Sequence, residues 1–309
     1  MLARTRTEKP AGGLRPEPSI FRTYARMLWR DKLAFVSALF ILAAILSAIV
    51  APIFLDRPAT AMNLMMRNAA PFNLDKGVLF ILGGDTLGRS VLARILVASR
   101  NTLFVAGAAV LVSLVIGSIL GLLAGWRKGW LSTLIMRSAD VLMSFPSLLL
   151  AVIVLYAFTP GLTSVVLVLA ITRLPIYIRT VRAEVLEIRE RVFVTSARVL
   201  GADFGWIVTR HILPVVTPTI ITIATLEFAF VMLTEASLSF LGLGIQPPEV
   251  SWGLMVAEGR NYLASAWWIA FWPGLAIMLT TVSLNLLSNW LRIATDPRQR
   301  WRLEMETKK

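Results

Sequence analysis

Residues 33–55 form a run of 23 without a charged side chain. At about 1.5 Å rise per residue, a helix of that length crosses a hydrocarbon core of roughly 30 Å. Further uncharged runs cover 101–126, 141–172 and 261–291. The third is too long for one crossing. Thr159-Pro160-Gly161 interrupts it with a turn signal, so it reads as a hairpin, one helix ending near Phe158 and the next starting near Leu162. A fifth span, 215–238, carries Glu227 and Glu235. The last is bracketed by Trp267-Trp268 and Trp290, aromatic residues suited to the two interfaces. The pattern predicts an all-α membrane protein with about six transmembrane helices.

Composition agrees. Hydrophobic residues make up 57% of the 309 and charged ones 16%, against about 45–50% and about 25% in soluble domains. The chain has no cysteine, which excludes disulfides, thiolate metal sites and a Cys nucleophile. His211 is the only histidine, so neither a His-rich metal site nor a Ser-His-Asp triad with a spare His is expected. The first apolar run exceeds the roughly 7–15 residues of a signal peptide. With 32 residues before it, it reads as an uncleaved anchor.

A net charge of +13 could point to nucleic acid, but the distribution explains it otherwise. Eight Lys and Arg fall in 1–32, three in 126–137, seven in 173–211 and six in 292–309, together 24 of the 31. With six spans these segments share one face, and the positive-inside bias places both termini in the cytoplasm. No nucleic acid partner is needed; membrane lipid is.

The expected organisation follows. Residues 1–32 form a cytoplasmic tail, and 33–55 the first span. Residues 56–100 form an external segment whose 85–100 end reads as a short helix. A core of five further spans covers 101–292, with a cytoplasmic loop at 179–214, and a second cytoplasmic tail covers 293–309. Around 20–29, apolar and aromatic residues alternate with Arg22 and Arg26. Two readings fit: a helix lying on the inner membrane face, or simply the basic flank of the first span.

Gly83-Gly84-Asp85-Thr86-Leu87-Gly88-Arg89-Ser90 nearly matches a phosphate-cradling loop, but Arg89 stands where lysine is required and no strand precedes it. The topology also puts it outside the cell. The chain therefore offers no ATP site and is not expected to act as an enzyme. In the charge-dense loop, the small residues Ser196 and Ala197 and the flexible Gly201 would let a short helix end in a turn and seat against a partner. Pro214 opens the next span, where its missing N–H costs little. A solvated connection is the other reading, and spacing alone does not separate them.

This loop resembles the EAA loop of binding-protein-dependent ABC permeases, whose pattern is E-A-A, three residues, G, nine residues, I-x-L-P. Here Thr195-Ser196-Ala197 is followed by Arg198, Gly201, Ala202 and Asp203, then His211-Ile212-Leu213-Pro214. Thr195 and Ser196 depart from the pattern; His211 matches the form common in the peptide and nickel branch. Other stretches resembling that branch are Gly84-Asp85-Thr86-Leu87-Gly88-Arg89-Ser90, Met136-Arg137-Ser138-Ala139-Asp140, and Leu233-Thr234-Glu235-Ala236-Ser237 running to Gly244. The last continues through Gln246-Pro247-Pro248, Ser251-Trp252-Gly253 and Glu258-Gly259-Arg260, and Asp296-Pro297-Arg298 closes the set. The likeness is greatest to the C-type permease of dipeptide and oligopeptide importers.

The resemblance implies a type I ABC importer permease fold in a bacterial plasma (inner) membrane. It implies a homologous second permease chain completing the pore, two ATP-binding cassette subunits carrying ATP and Mg, and an external solute-binding protein. This chain itself would bind no cofactor. The coupling residues would be Thr195, Ser196, Ala197, Arg198, Gly201, Ala202, Asp203, His211 and Pro214. Gln246, Pro247, Trp252 and Arg260 would face the binding protein, in a short re-entrant or external element.

Glu235 is expected at the outer mouth of the pore. Glu227 lies deeper, and an intramembrane acid usually faces a cavity or a partner. It either lines the translocation path and favours an amino group, or packs in a protonated or hydrogen-bonded state. Asp140 is read as an interfacial ion pair with Arg137. Peptides are the default cargo, with nickel chelates, glutathione or another small solute as alternatives. A membrane-embedded enzyme lacks a paired catalytic constellation, and a stand-alone ion-coupled transporter would have to use Glu227 and Glu235.

Overall fold

The computed structural model describes residues 20–295 apart from 74, 76 and 158–160. The expected tail at 1–19 and the stretch 296–309, with its Asp296-Pro297-Arg298 motif, lie outside the described residues.

Helix α1 (Ile20–Arg30) turns Met27 inward and leaves Arg26, Trp29 and Arg30 exposed. One residue later, Asp31 accepts the backbone N–H of Ala34 at 3.0 Å and caps α2 (Lys32–Thr60). This helix exposes Leu39, Leu42, Leu46 and Ile49, an apolar exterior suited to hydrocarbon and not to water.

The next long helix, α3, spans Val91–Trp126, starting ten residues before the expected boundary at 101. The Ser90 hydroxyl accepts from Ala93 N–H at 3.1 Å and fixes its start. The 85–100 segment is therefore no separate short helix; most of it is the first turns of α3.

The helix expected from 141 to near Phe158 is instead two pieces that start earlier, α4 (Trp130–Ser144) and α5 (Ser147–Ala157), bent by 93°. The cause is local: Pro146 pushes Phe145 into extended backbone, with ψ 140°, and breaks the ladder. Helix α6 then covers Leu162–Ile188. It continues past the expected start of the cytoplasmic loop at 179 and contains Arg173, one of the 24 residues assigned to the basic face.

Short helices α7 (Val192–Val199) and α8 (Phe204–Ile207) and a π-helical turn at Val208–Ile212 lead into α9 (Leu213–Phe240). Helix α10 (Trp252–Gly259) and the long α11 (Trp268–Thr295) follow. Among the described residues, five helices are long and apolar enough to span a membrane, and the bent α4–α5 pair makes six if it counts as one crossing.

The tightest packing joins α3 to α6. Gly117, Gly121 and Gly125 lie one turn apart on α3, facing Tyr177, Val181 and Val185 on α6. A Cβ at Gly117 would stand 2.6 Å from the Cβ of Tyr177, and one at Gly121 2.8 Å from that of Val181. In a bilayer, where burying apolar area brings no gain, such close backbone approach is what holds helices together. The main core gathers α3, α6, α9, α10 and α11 around Val105, Leu169, Met232, Met255 and Ile269.

Candidate functional site

The charge-rich connection forms an anchored block. Helix α7 ends in a C-terminal glycine motif: Gly201, at φ 87°, donates to the carbonyl of Arg198 at 3.1 Å, and Ala202 donates to that of Ala197 at 3.0 Å. A side chain at 201 would be strained, which gives this glycine a backbone reason. The Asp203 carboxylate then accepts from Gly205 and Trp206 N–H at 3.2 and 3.3 Å and starts α8. These caps end α7 and start α8 within five residues.

The inner side of the block is apolar. Val194, Ala197, Ile207 and Ile212 pack with Val181, Val185 and Ile188 of α6 and Val216 and Ile220 of α9. Arg189 donates to the carbonyls of Gly125 at 2.7 Å and Trp126 at 3.5 Å, satisfying the end of α3. The Arg198 guanidinium lies over the Trp126 ring at 4.9 Å. His211 sits between Phe193 and Trp206, with ring centroids 5.7 and 4.9 Å apart. The end of α3, the end of α6 and the start of α9 therefore meet in one body.

Outward the block is bare. Val192, Val199 and Leu200 are more than four-fifths exposed, Leu200 at 87%. Thr195, Ser196, Arg198, Gly201, Asp203 and Pro214 are also exposed, while Ala202 and His211 are partly covered. Ala197 is buried, so its smallness serves packing against α6 and α9.

The acids of α9 have separate settings. Glu227 meets Arg173 of α6 at 3.6 Å, and Arg173 lies 3.8 Å over the Phe230 ring. Glu235 is fully buried and accepts from Ser239 at 2.7 Å and Ser251 at 3.1 Å. It lines no opening in this chain; it staples the 242–251 connection to α9. Asp140 pairs with Arg137 at 3.8 Å and, more closely, with Arg179 at 2.5 Å.

At the opposite end, Asp85 takes the place that a phosphate would need. Its carboxylate accepts from the N–H groups of Leu87 and Arg89 at 2.9 and 2.8 Å. It also pairs with the side chains of Arg89 at 2.6 Å and Arg94 at 2.8 Å, and Arg94 continues to Glu258 of α10 at 2.8 Å. The Gly84–Ser90 and Glu258–Arg260 motifs, far apart in sequence, thus form one network.

Trp252 corrects an expectation. It is 3% exposed, donates from its ring to Ile95 O at 2.8 Å, and is a packing residue with no face for a partner. Pro247 is exposed, Gln246 is half-buried and folds back onto Gly242 O at 2.9 Å, and Arg260 is exposed with a 3.1 Å bond to Phe240 O.

Sequence reasoning missed Arg173, Arg189 and Trp126. For Arg173 the signal was present: a helix starting at 162 needs about 20 residues to cross, which puts residue 173 at mid-depth. For Arg189 and Trp126 the partners are backbone and rings more than 60 residues away, which no local pattern shows.

Residues 117–301 match the family model described as "Binding-protein-dependent transport system inner membrane component". The chain is 37% identical over 274 residues to a putative peptide transport system permease protein of Brucella abortus, covering 89% of this chain and 90% of that one. It is 42% identical over 219 residues to the di/tripeptide transport system permease protein DppC of Pseudomonas aeruginosa, covering 71% and 72%. It is 38% identical over 288 residues to the glutathione transport system permease protein GsiD of Escherichia coli, covering 91% and 93%. Among solved structures, a chain of the inward-facing MetNI methionine ABC transporter superposes with a TM-score of 0.51 at 20% identity, covering 63% of this chain and 94% of that one. That likeness concerns the fold.

Proposed function

The chain belongs to the binding-protein-dependent transport system inner membrane components, and from that premise we propose that it forms half of the pore of an ATP-driven peptide importer. The other half is a homologous second permease chain. Two ATP-binding cassette subunits supply hydrolysis, and an external solute-binding protein delivers di- or oligopeptides. The chain lies in the bacterial plasma membrane with both termini cytoplasmic, as the distribution of Lys and Arg favours.

The observation that carries this reading is the α7 block. It is bonded to α3 through Arg189 and packed on α6 and α9, while its outer tip shows Val199 and Leu200 to solvent. Closure of an ATPase pair against that tip would displace three spans together. The chain has no cysteine, so a single cysteine introduced at Leu200 gives an unambiguous cross-link. It is expected to join the chain to its ATPase subunit, with a yield that changes when ATP is added. A chain that co-purifies with no ATPase subunit, or that drives uptake alone in liposomes, would instead support an ion-coupled transporter.

Glutathione stands as the second cargo reading, because a glutathione permease is among the relatives that cover nearly the whole chain. Equilibrium binding of glutathione and of dialanine to the cognate solute-binding protein separates the two.

A further inference from the structure

The Arg173–Glu227 pair is a poor structural ion pair. At 3.6 Å it is longer than a hydrogen bond, and the buried Nε of Arg173 and Oε2 of Glu227 have no hydrogen-bond partner. Buried pairs offset their desolvation only with close geometry and satisfied remaining atoms. Both side chains are close to buried, Arg173 at 11% and Glu227 at 8% exposed. Directly outside them lies Phe230, 45% exposed, with Leu226 and Leu233 on the same face of α9. Charged groups at membrane depth face protein or a water-filled path in preference to lipid. The two helices that carry the pair, α6 and α9, are those that the α7 block joins.

We propose that Arg173 and Glu227 are a charge-reading subsite of the translocation path, where a zwitterionic peptide exchanges partners with the pair. The peptide carboxylate takes Arg173, whose planar fork suits it; the peptide ammonium takes Glu227; and the Phe230 ring closes over the site at rest. Opposite charges of one peptide neutralise both residues at once, so neither is left unpaired in the membrane during passage. The inference rests on the permease reading above.

The test uses the intact complex, with both permease chains, the ATPase subunits and the binding protein, in proteoliposomes. ATP-driven uptake is followed for dialanine, N-acetyl-dialanine and dialanine amide, each at a concentration that saturates the binding protein. Arg173→Gln should lower dialanine uptake relative to dialanine amide by about tenfold or more, and Glu227→Gln should do so relative to N-acetyl-dialanine, the scale of one charge-assisted hydrogen bond. The R173E/E227R double variant keeps an ion pair but reverses its polarity, which guards against misfolding of the single variants. If the pair only packs, that variant keeps wild-type uptake and wild-type ratios among the three peptides, and the proposal is overturned. If it reads charge, the assembled double variant loses about tenfold or more of dialanine uptake. A wild-type complex that takes up no peptide under ATP would overturn the peptide reading, and the proposal with it.

Discussion

Arg94 on α3 and Glu258 on α10, 164 residues apart in sequence, meet at 2.8 Å, and the same guanidinium nitrogen reaches Asp85 at 2.8 Å. One buried cation thus ties the loop before α3 to the element after α9. Removing it leaves the buried Asp85 with only Arg89 to neutralise it. Arg94→Ala is expected to destabilise the detergent-solubilised protein by roughly 1.5–3 kcal/mol, the scale of a charge-assisted hydrogen bond lost while Arg89 still pairs with Asp85. Thermal unfolding against wild type measures this, and a shift within error would show that Arg89 suffices.

The glycine seam should be intolerant in a graded way. Gly121→Val forces a side chain against Val181, whose Cβ lies 2.8 Å from where the new Cβ would stand, and should cost about 1–3 kcal/mol or more by overpacking. Gly107→Ala is the control, since its Cβ would meet Phe228 at an ordinary 3.5 Å. The two melting curves, run side by side, decide whether the seam or glycine itself matters.

Arg189 joins the α7 block to the end of α3 by a 2.7 Å bond to Gly125 O. Replacing it with Gln should leave the fold assembled, with a stability loss of about 1.5–3 kcal/mol at most. Peptide imported per ATP hydrolysed should fall, because the end of α3 would then follow the block only through its packing on α6. Uptake and phosphate release measured in the same proteoliposomes give that ratio; an unchanged value would remove Arg189 from the coupling path.

Trp252 and Pro247 should separate packing from docking. Trp252→Phe loses the 2.8 Å bond to Ile95 O, a carbonyl inside α3 that keeps its place in the helix ladder, so stability should drop by only about 0.5–1.5 kcal/mol. Pro247→Ala alters an exposed site and should spare stability. If the external element receives the binding protein, Pro247→Ala weakens its association, which titration of the binding protein against ATPase stimulation would detect.

Run length and charge distribution were enough to read an all-α membrane protein from the sequence. They also gave a helix start near Leu162 and the glycine-capped segment before Pro214, while the turn expected at Thr159-Pro160 lies outside the described residues. Those features depend on local physics: how many apolar residues cross a bilayer, and which backbone angles Pro and Gly allow. The Gly117, Gly121 and Gly125 spacing was equally open to a local reading and went unread. The assignment of Arg173 to the basic face failed because charge alone ended the span there, where helix length should have decided.

Other features depended on the tertiary structure. The sequence shows Asp85, Arg94 and Glu258, or Arg189 and Trp126, as unrelated positions, because their contacts bridge from about 10 to more than 160 residues. It shows Glu227 and Glu235 as two similar acids on one helix. Packing gives one a loose cationic partner and the other two hydroxyl groups in a sealed interior. Sequence by itself determined that the chain is built of membrane-spanning helices and that a short helix before Pro214 ends at Gly201. Only the tertiary structure decided which charges are paired inside, because pairing depends on which helix faces come together, and no single helix contains that information.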